Sequence, residues 1–298
     1  SYTFNIDDAL MPVKIGWVNY FLGVYVGVSA LVPVDHGFNV MFTSSIPIGA
    51  GLSSSAALEC GFGLALSRLY GVDIEPLSLA NIGQKAEHDF AGVQCGIMDQ
   101  FAVVMGRQDQ VIKLDCRTLE FDYIPADFEN YDVVLFNTQV KHDLASSEYN
   151  IRHEQCQEGL MFIRQLYPEV TALRDVTLTM LNEARPLMSN LIYRRCLYVI
   201  EENNRVLKAC EALETNNISA LGVLMYQSHH GLSNLYEVSC RELDVLVDLA
   251  RNSEQVTGAR MMGGGFGGCT INLIESAKTD KVISQMQSAY SEQTGKQI

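Results

Sequence analysis

The chain sets long apolar-rich stretches of helical character against short strand-like runs. Residues 16–31 (GWVNYFLGVYVGVSAL) carry apolar side chains on most faces, which predicts a buried helix. Phe38, Val40 and Phe42 alternate with Asn39, Met41 and Thr43, a period of two that predicts a strand. A helix is predicted from the serines after Pro47 to about residue 70, where Gly71 closes it. Another runs from Ser78, as its N-cap, to about residue 90. Residues 111–114 and 133–136 read as strands, and 145–166, 190–213, 218–232 and 242–251 as helices. Two more strands, 258–262 and 270–274, flank a glycine run at 263–268, and a last helix covers 279–290. The order has no βαβ rhythm, so the class is α+β. Neither a repeat nor a low-complexity stretch interrupts it. A boundary near residue 125 divides it into domains 1–125 and 126–298.

Composition narrows the functional classes. With 298 residues, 48% apolar and 19% charged, the chain can build two packed domains and is not disordered. A net charge of −14 repels nucleic acid and anionic membranes, so neither is an expected partner. A bound nucleotide would have to be held locally, by backbone N–H groups, a metal or a few basic side chains. The eight cysteines are scattered without a C-x-x-C pair, which excludes a zinc ribbon or redox motif and suits reduced thiols in a cytoplasm. No apolar run reaches the ~18 residues of a membrane span. Residues 1–10 lack the basic start and apolar core of a signal peptide, and read as though they begin within a longer protein.

The strongest local feature is Pro47-Ile-Gly-Ala-Gly-Leu-Ser-Ser-Ser-Ala-Ala57. Gly49 and Gly51 let the backbone approach a ligand, and the serines supply hydroxyls. The loop then enters a helix whose first N–H groups are unpaired and whose dipole favours an anion. That combination makes a phosphate cradle, although a serine-capped helix after a glycine turn has the same outline. A Walker loop is excluded because no Gly-Lys-Ser/Thr ends it. A nucleophile elbow is excluded because Gly51 is followed by Leu-Ser-Ser-Ser. The run Gly263 to Gly268 matches G-x-G-x-x-G in form, but a strand follows it where a dinucleotide fold requires a helix.

The serine loop is similar to the ATP-binding motif of the GHMP kinases, and Met262-Gly-Gly-Gly-Phe-Gly-Gly268 resembles their C-terminal glycine motif. Three segments narrow the resemblance to the galactokinase branch: Gln84-Lys-Ala-Glu-His-Asp-Phe-Ala-Gly92, Cys95-Gly-Ile-Met-Asp-Gln-Phe101 and Ala145-Ser-Ser-Glu-Tyr149. The resemblance implies a two-domain GHMP kinase fold, a ribosomal protein S5 domain 2-like domain followed by a ferredoxin-like one. It also implies a monomeric sugar kinase that uses ATP and Mg²⁺ to phosphorylate galactose at its C1 hydroxyl. Asp99 is then the catalytic base and touches the sugar, a role suited to a carboxylate within reach of an attacking alcohol. Ser55 and Glu87 are implied as magnesium ligands. Pro47, Gly49, Ala50, Gly51, Leu52, Ser53, Ser54 and Ser55 would wrap the ATP phosphates. Trp17 and Tyr20 match a Trp-x-x-Tyr pattern near the adenine, with a core tryptophan as the alternative for Trp17. Gly96, Tyr149 and Gly264 match positions near the sugar. Glu87 could equally be an exposed helix residue on its own showing, and His88, His229 and His230 read as packing or hydrogen-bonding histidines.

The family's N-terminal signature, roughly Gly-Arg-x-Asn-Leu-Ile-Gly-Glu-His-x-Asp-Tyr, does not occur between Ser1 and Ile298. The final strands also look cut short after Gly295. The chain thus resembles a galactokinase trimmed at both ends, which by itself would turn over galactose poorly. Two other outcomes stay open. One is N-acetylgalactosamine as the sugar. The other is a sensor of sugar and ATP that binds a transcriptional regulator, although the intact Ser53 to Ala57 favours an enzyme.

Overall fold

The computed structural model of the chain describes residues 1–47, 51–140 and 145–298, the side chains of 145–147 excepted. It divides into two compact units, Ser1–Ile48 with Leu52–Tyr123 and Gly49–Gly51 with Ile124–Ile298. Described helices and strands alternate irregularly, as an α+β chain requires.

The first unit is helical. Helices α1 (Gly16–Ser29), α2 (Ser54–Leu69) and α3 (Pro76–Ala86) pack together, and α4 (Met98–Met105) lies against α2 and α3. The core between α1, α2 and α3 holds Val24, Tyr25, Val28, Phe62, Leu66 and Ile82, all buried. A two-stranded sheet of β1 (Gln110–Leu114) and β2 (Phe121–Pro125) adds Ile112, Leu114 and Phe121 to Ala80, Ile97 and Phe101. Helix α3 begins at Pro76, whose fixed φ and missing N–H suit the first helical position. Its N-cap is therefore Glu75 and not Ser78. Beyond Ala86 the helix widens into a π turn, Glu87–Ala91, ended by Gly92 at φ 76°.

The strand predicted from Phe38 to Thr43 is absent; residues 39–45 are in no described helix or strand. The alternating aromatics pack as side chains instead of joining a backbone ladder. Phe38 lies against Tyr25 and Phe62, and Phe42 against Trp17 and Phe21. No strand of the described residues is placed to pair with them, so the period of two serves an aromatic cluster.

The second unit is built on an antiparallel sheet. Its described elements are β3 (Tyr131–Asn137), α5 (Ala145–Leu166), α6 (Leu178–Ala184), α7 (Asn190–Glu214), α8 (Ile218–Gly231), α9 (Arg241–Arg251), β4 (Val256–Met261), β5 (Cys269–Glu275) and α10 (Thr279–Thr294). Strand order is β3-β5-β4, with Leu135 opposite Ile271 and Met261 opposite Thr270. The glycine run is the connection between β4 and β5. Leu246, Val247 and Ala250 of α9 and Val282, Met286 and Tyr290 of α10 close on Phe136 and Ile274 of the sheet. A separate cluster of Leu160, Ile163, Leu181, Ile192 and Cys196 joins α5, α6 and α7. Caps fix the helix starts: Ser189 accepts from the Ile192 N–H at 3.2 Å and Asn217 from the Ala220 N–H at 3.0 Å. Helices α4 and α6 and strand β2 were not anticipated from the sequence. All three are short, and periodicity needs length.

One polar network ties α8 to α9. His229 is buried, and its Nδ1 accepts the Met261 N–H at 3.2 Å. The proton therefore sits on Nε2, which donates to Asp244 Oδ1 at 3.1 Å. Ser239 and Ser233 donate to the same carboxylate at 2.6 and 3.2 Å. Burial alone would raise Asp244, but the hydrogen bonds from His229 and Ser239 outweigh it and hold the group below the ordinary value of 3.8. A carboxylate depressed in the folded state adds stability that is present above its unfolded pKa and lost as pH falls through the folded one. Asp244→Asn should therefore lower stability to urea at pH 7 and lose less than the parent between pH 4 and pH 3. Equal losses in both proteins over that interval would contradict the account.

Candidate active site

Helix α2 is entered from Ser53 at φ 52°, in the left-handed region, and no acidic side chain lies in its first turn. The positive end of the helix is left free for an anion. Ser54 and Ser55 form that first turn. The Ser55 hydroxyl hydrogen-bonds the Glu87 carboxyl, which is buried at the junction of α3 and the π turn. A π turn holds one more residue than an α turn and re-aims the side chains around it, and such turns collect at functional sites.

A second carboxyl, not singled out in the sequence, shares this place. Glu59 follows Ser55 by four residues, on the same face of α2. It is 1% exposed, and its Oε2 accepts from Gln100 Nε2 at 3.0 Å. Its Oε1 is buried without a hydrogen-bond partner among the described residues. Gly83 of α3 makes room for the pair. A Cβ there would stand 2.9 Å from Gln100 Cγ and 3.2 Å from Glu59 Oε2. Gln100 is the neighbour of Asp99, and both lie in the first turn of α4, with Asp99 half-buried. The signal that could have found Glu59 is an acid inside an otherwise apolar helical stretch, Ala-Ala-Leu-Glu-Cys-Gly-Phe.

The electrostatics follow from crowding acids in low dielectric. Burial, then the Glu87 carboxylate, pushes Glu59 up to about 8, against the donor hydrogen bond from Gln100. Burial also raises Glu87, opposed by the Ser55 hydrogen bond and reinforced by Asp99. Tyr20 rises to about 12 through burial, then Glu87 and Glu59, so its phenol faces this cluster. Trp17, by contrast, is 45% exposed and packs edge-on against Phe21 at 5.8 Å. The two aromatics of the Trp-x-x-Tyr pattern thus sit in different surroundings. The loop into α4 is pinned at Cys95, whose carbonyl accepts from His88 Nε2 at 2.8 Å and Gln84 Nε2 at 3.1 Å. Gly96 follows, exposed, and His88 is occupied by the backbone.

In the second unit the sequence-predicted residues gather at the glycine run. Gly51 has φ 74°, and a Cβ on it would lie 3.2 Å from the Met262 carbonyl oxygen. Gly263, at φ 75°, meets Gly51 from the other side, so two glycines pass where side chains would collide. A Cβ on Gly264 would touch the Tyr149 ring at 3.9 Å. Pro47 is exposed and Leu52 half-buried, while Gly49 and Ala50 lie outside the described residues.

Comparison with known proteins places this arrangement in a class. Residues 19–107 match the GHMP kinases N terminal domain and residues 209–292 the GHMP kinases C terminal domain. The galactokinase of Thermotoga maritima is 40% identical over 295 residues, covering 98% of this chain and 82% of that relative. The galactokinase of Clostridium acetobutylicum is 38% identical over 294 residues, 98% of this chain and 75% of the relative. The crystal structure of Lactococcus lactis galactokinase complexed with galactose superposes with a TM-score of 0.91 at 33% identity, covering 98% of this chain and 75% of that one. The chain belongs to the galactokinase family of GHMP kinases.

Removing Glu59 tests the buried pair. Glu59→Ala strands Gln100 Nε2 in a buried site and should destabilise the protein by roughly 1–3 kcal/mol in urea unfolding. Glu59→Gln keeps the shape and an acceptor oxygen and should lose less than half as much. Equal losses would show that the hydrogen bond to Gln100 contributes nothing.

Proposed function

We propose that this protein transfers the γ-phosphoryl group of ATP to the C1 hydroxyl of D-galactose, giving galactose 1-phosphate and ADP. The observation that carries the reading is the meeting of Ser55 with the buried Glu87 at the open start of α2, beside Asp99. The galactose bound by the Lactococcus lactis relative supports the choice of sugar. Residues 1–125 are assigned as the ATP-binding domain and 126–298 as the C-terminal domain.

Asp99 acts as the base. Its carboxylate accepts the proton of the C1 hydroxyl as that oxygen attacks the γ-phosphorus and the bond to the β,γ-bridging oxygen breaks. The first N–H groups of α2 and the backbone at Gly51 receive the phosphate charge. Ser53, Ser54, Pro47, Gly49, Ala50 and Leu52 are assigned to the ATP phosphates, and Trp17 and Tyr20 to the adenine. Gly96, Tyr149 and Gly264 are assigned to the sugar. Positioning and charge stabilisation supply most of the rate in phosphoryl transfer, which fits a site with one base and few other reactive groups.

Ser55 and Glu87 suit Mg²⁺ by the chemistry of their donors, a hydroxyl and a carboxylate oxygen. Among the described residues no group of three or more His, Cys, Asp or Glu is arranged to hold a metal. A two-ligand site is what Mg²⁺ takes when it keeps waters and binds nucleotide phosphates. When bound, the ion neutralises charge on the phosphates. Ser55 and Glu87, which hydrogen-bond each other at the start of α2, are the residues that would hold it.

ADP release by the full-length protein with ATP and Mg²⁺ tests the reading, with galactose, N-acetylgalactosamine, glucose and no sugar in parallel. Release with galactose alone is expected. Release with N-acetylgalactosamine would replace the substrate, and no release with any sugar would favour a sensor. Asp99→Asn should lower kcat by roughly 10²–10⁴-fold and leave the KM for ATP within about twofold, because it removes the base and keeps the shape. Parental turnover in that variant would remove Asp99 from the mechanism.

A further inference from the structure

The backbone after α8 is irregular in a way that its own helix cannot satisfy. Residues Leu232–Tyr236 form a π turn, and Glu237 follows at φ 55°, left-handed for a residue with a side chain. A helix end of this kind leaves carbonyls without intrahelical donors. Two buried arginines collect them. Arg152 of α5 donates through Nε to the Tyr236 carbonyl and through Nη2 to the Glu237 carbonyl, both at 2.8 Å. Arg195 of α7, 2% exposed, donates to the Leu235 carbonyl at 2.5 Å, to Glu237 Oε2 at 2.7 Å and to Gln155 Oε1 at 3.0 Å.

The next carbonyl of this strap carries the glycine run. Val238 O accepts the Phe266 N–H at 2.7 Å, and a Cβ on Gly265 would stand 2.0 Å from the same oxygen. The Arg152 guanidinium lies 5.7 Å from the Phe266 ring centre. Arg152 also follows Tyr149 by three residues, on the same face of α5. One guanidinium therefore touches the strap and the Phe266 ring of the glycine run, and it is borne by the residue one turn along α5 from Tyr149. Its fork meets two adjacent carbonyls from two nitrogens held in one plane, where a lysine offers a single nitrogen on a flexible stem.

We propose that Arg152 is a positioning residue for the sugar subsite. Through the strap 236–238 it sets the glycine run so that Gly264 stands against Tyr149. The proposal rests on the assignment of Tyr149 and Gly264 to the sugar. It predicts a signature that general loosening would not give, a loss confined to the sugar side of the kinetics.

The test compares the full-length protein with Arg152→Lys and Gly265→Ala. The first removes one of the two carbonyl contacts, and the second pushes the run away from Val238 at the other end of the same brace. Hydrogen exchange at the Phe266 amide should quicken by roughly tenfold or more in both variants, as expected for a broken local hydrogen bond. The KM for galactose should rise roughly tenfold while the KM for ATP stays within about twofold, since small displacements of a positioned substrate are felt strongly. Unchanged exchange in the run, an unchanged galactose KM, or a parallel rise in both KM values would overturn the proposal. If Arg152→Lys does not fold, Arg152→Gln, which keeps a donor for one carbonyl, is judged by the same criteria beside Gly265→Ala. A parent enzyme with no galactose-dependent turnover defeats the functional reading and the sugar-subsite role with it. A turning-over parent with unaffected variants defeats only the role of Arg152.

Discussion

The first unit is organised around a buried carboxyl that is never alone. Glu87 sits in low dielectric, where an isolated negative charge is expensive, and the groups around it answer that cost one by one. Ser55 hydrogen-bonds it, and Glu59 beside it keeps its own proton near neutral pH, so the two acids do not carry two charges in one place. Gln100 holds Glu59 from α4 at 3.0 Å, and the absence of a side chain at Gly83 lets both approach α3. The start of α2, the end of α3 and the start of α4 are thus fixed to one another by polar contacts between their own side chains. The hydrophobic core of Val24, Phe62, Leu66 and Ile82 gives the unit its stability; the acids decide its register.

The second unit meets a similar demand with the opposite charge. Irregular backbone after α8 exposes carbonyls, and the buried cations Arg152 and Arg195 satisfy them. Buried arginines are tolerable here because each guanidinium nitrogen has an acceptor within hydrogen-bond distance and Glu237 balances Arg195. The Asp244 network does the same for the edge of β4, where His229 accepts the Met261 N–H. Sheet, helices and glycine run are then held by a core of apolar side chains and a rim of satisfied polar ones.

Much of this was legible in the sequence, and the gaps have physical causes. The long helices α1, α2, α5, α7 and α8 showed themselves by length, each running 14 residues or more without strand-like alternation. The glycine and serine motifs were legible because few residue types allow a left-handed backbone or an open helix start. The alternation of Phe38, Val40 and Phe42 misled, since a period of two reports exposure and not pairing. Glu59 was invisible because a lone acid in a helix has the same letters whether it faces water or another acid. Arg152 and Arg195 were invisible for a related reason: their partners are main-chain carbonyls some 40 to 85 residues away, which leave no mark on the composition.

Two π turns, Glu87–Ala91 and Leu232–Tyr236, each extend an α-helix and each end in a left-handed residue, Gly92 and Glu237. A π turn is an α-helix with one residue too many, and one residue corresponds to about 100° of rotation about the helix axis. The two segments are therefore places where chain length, independent of chemistry, is part of the site. A substitution there changes one side chain, whereas a single deletion would let the helix close into its regular form and remove the widened turn, the backbone on either side keeping its phase. For Glu87–Ala91 that would re-aim Glu87 and its neighbours inside the turn. For Leu232–Tyr236 it would remove the irregular end whose carbonyls the two arginines collect.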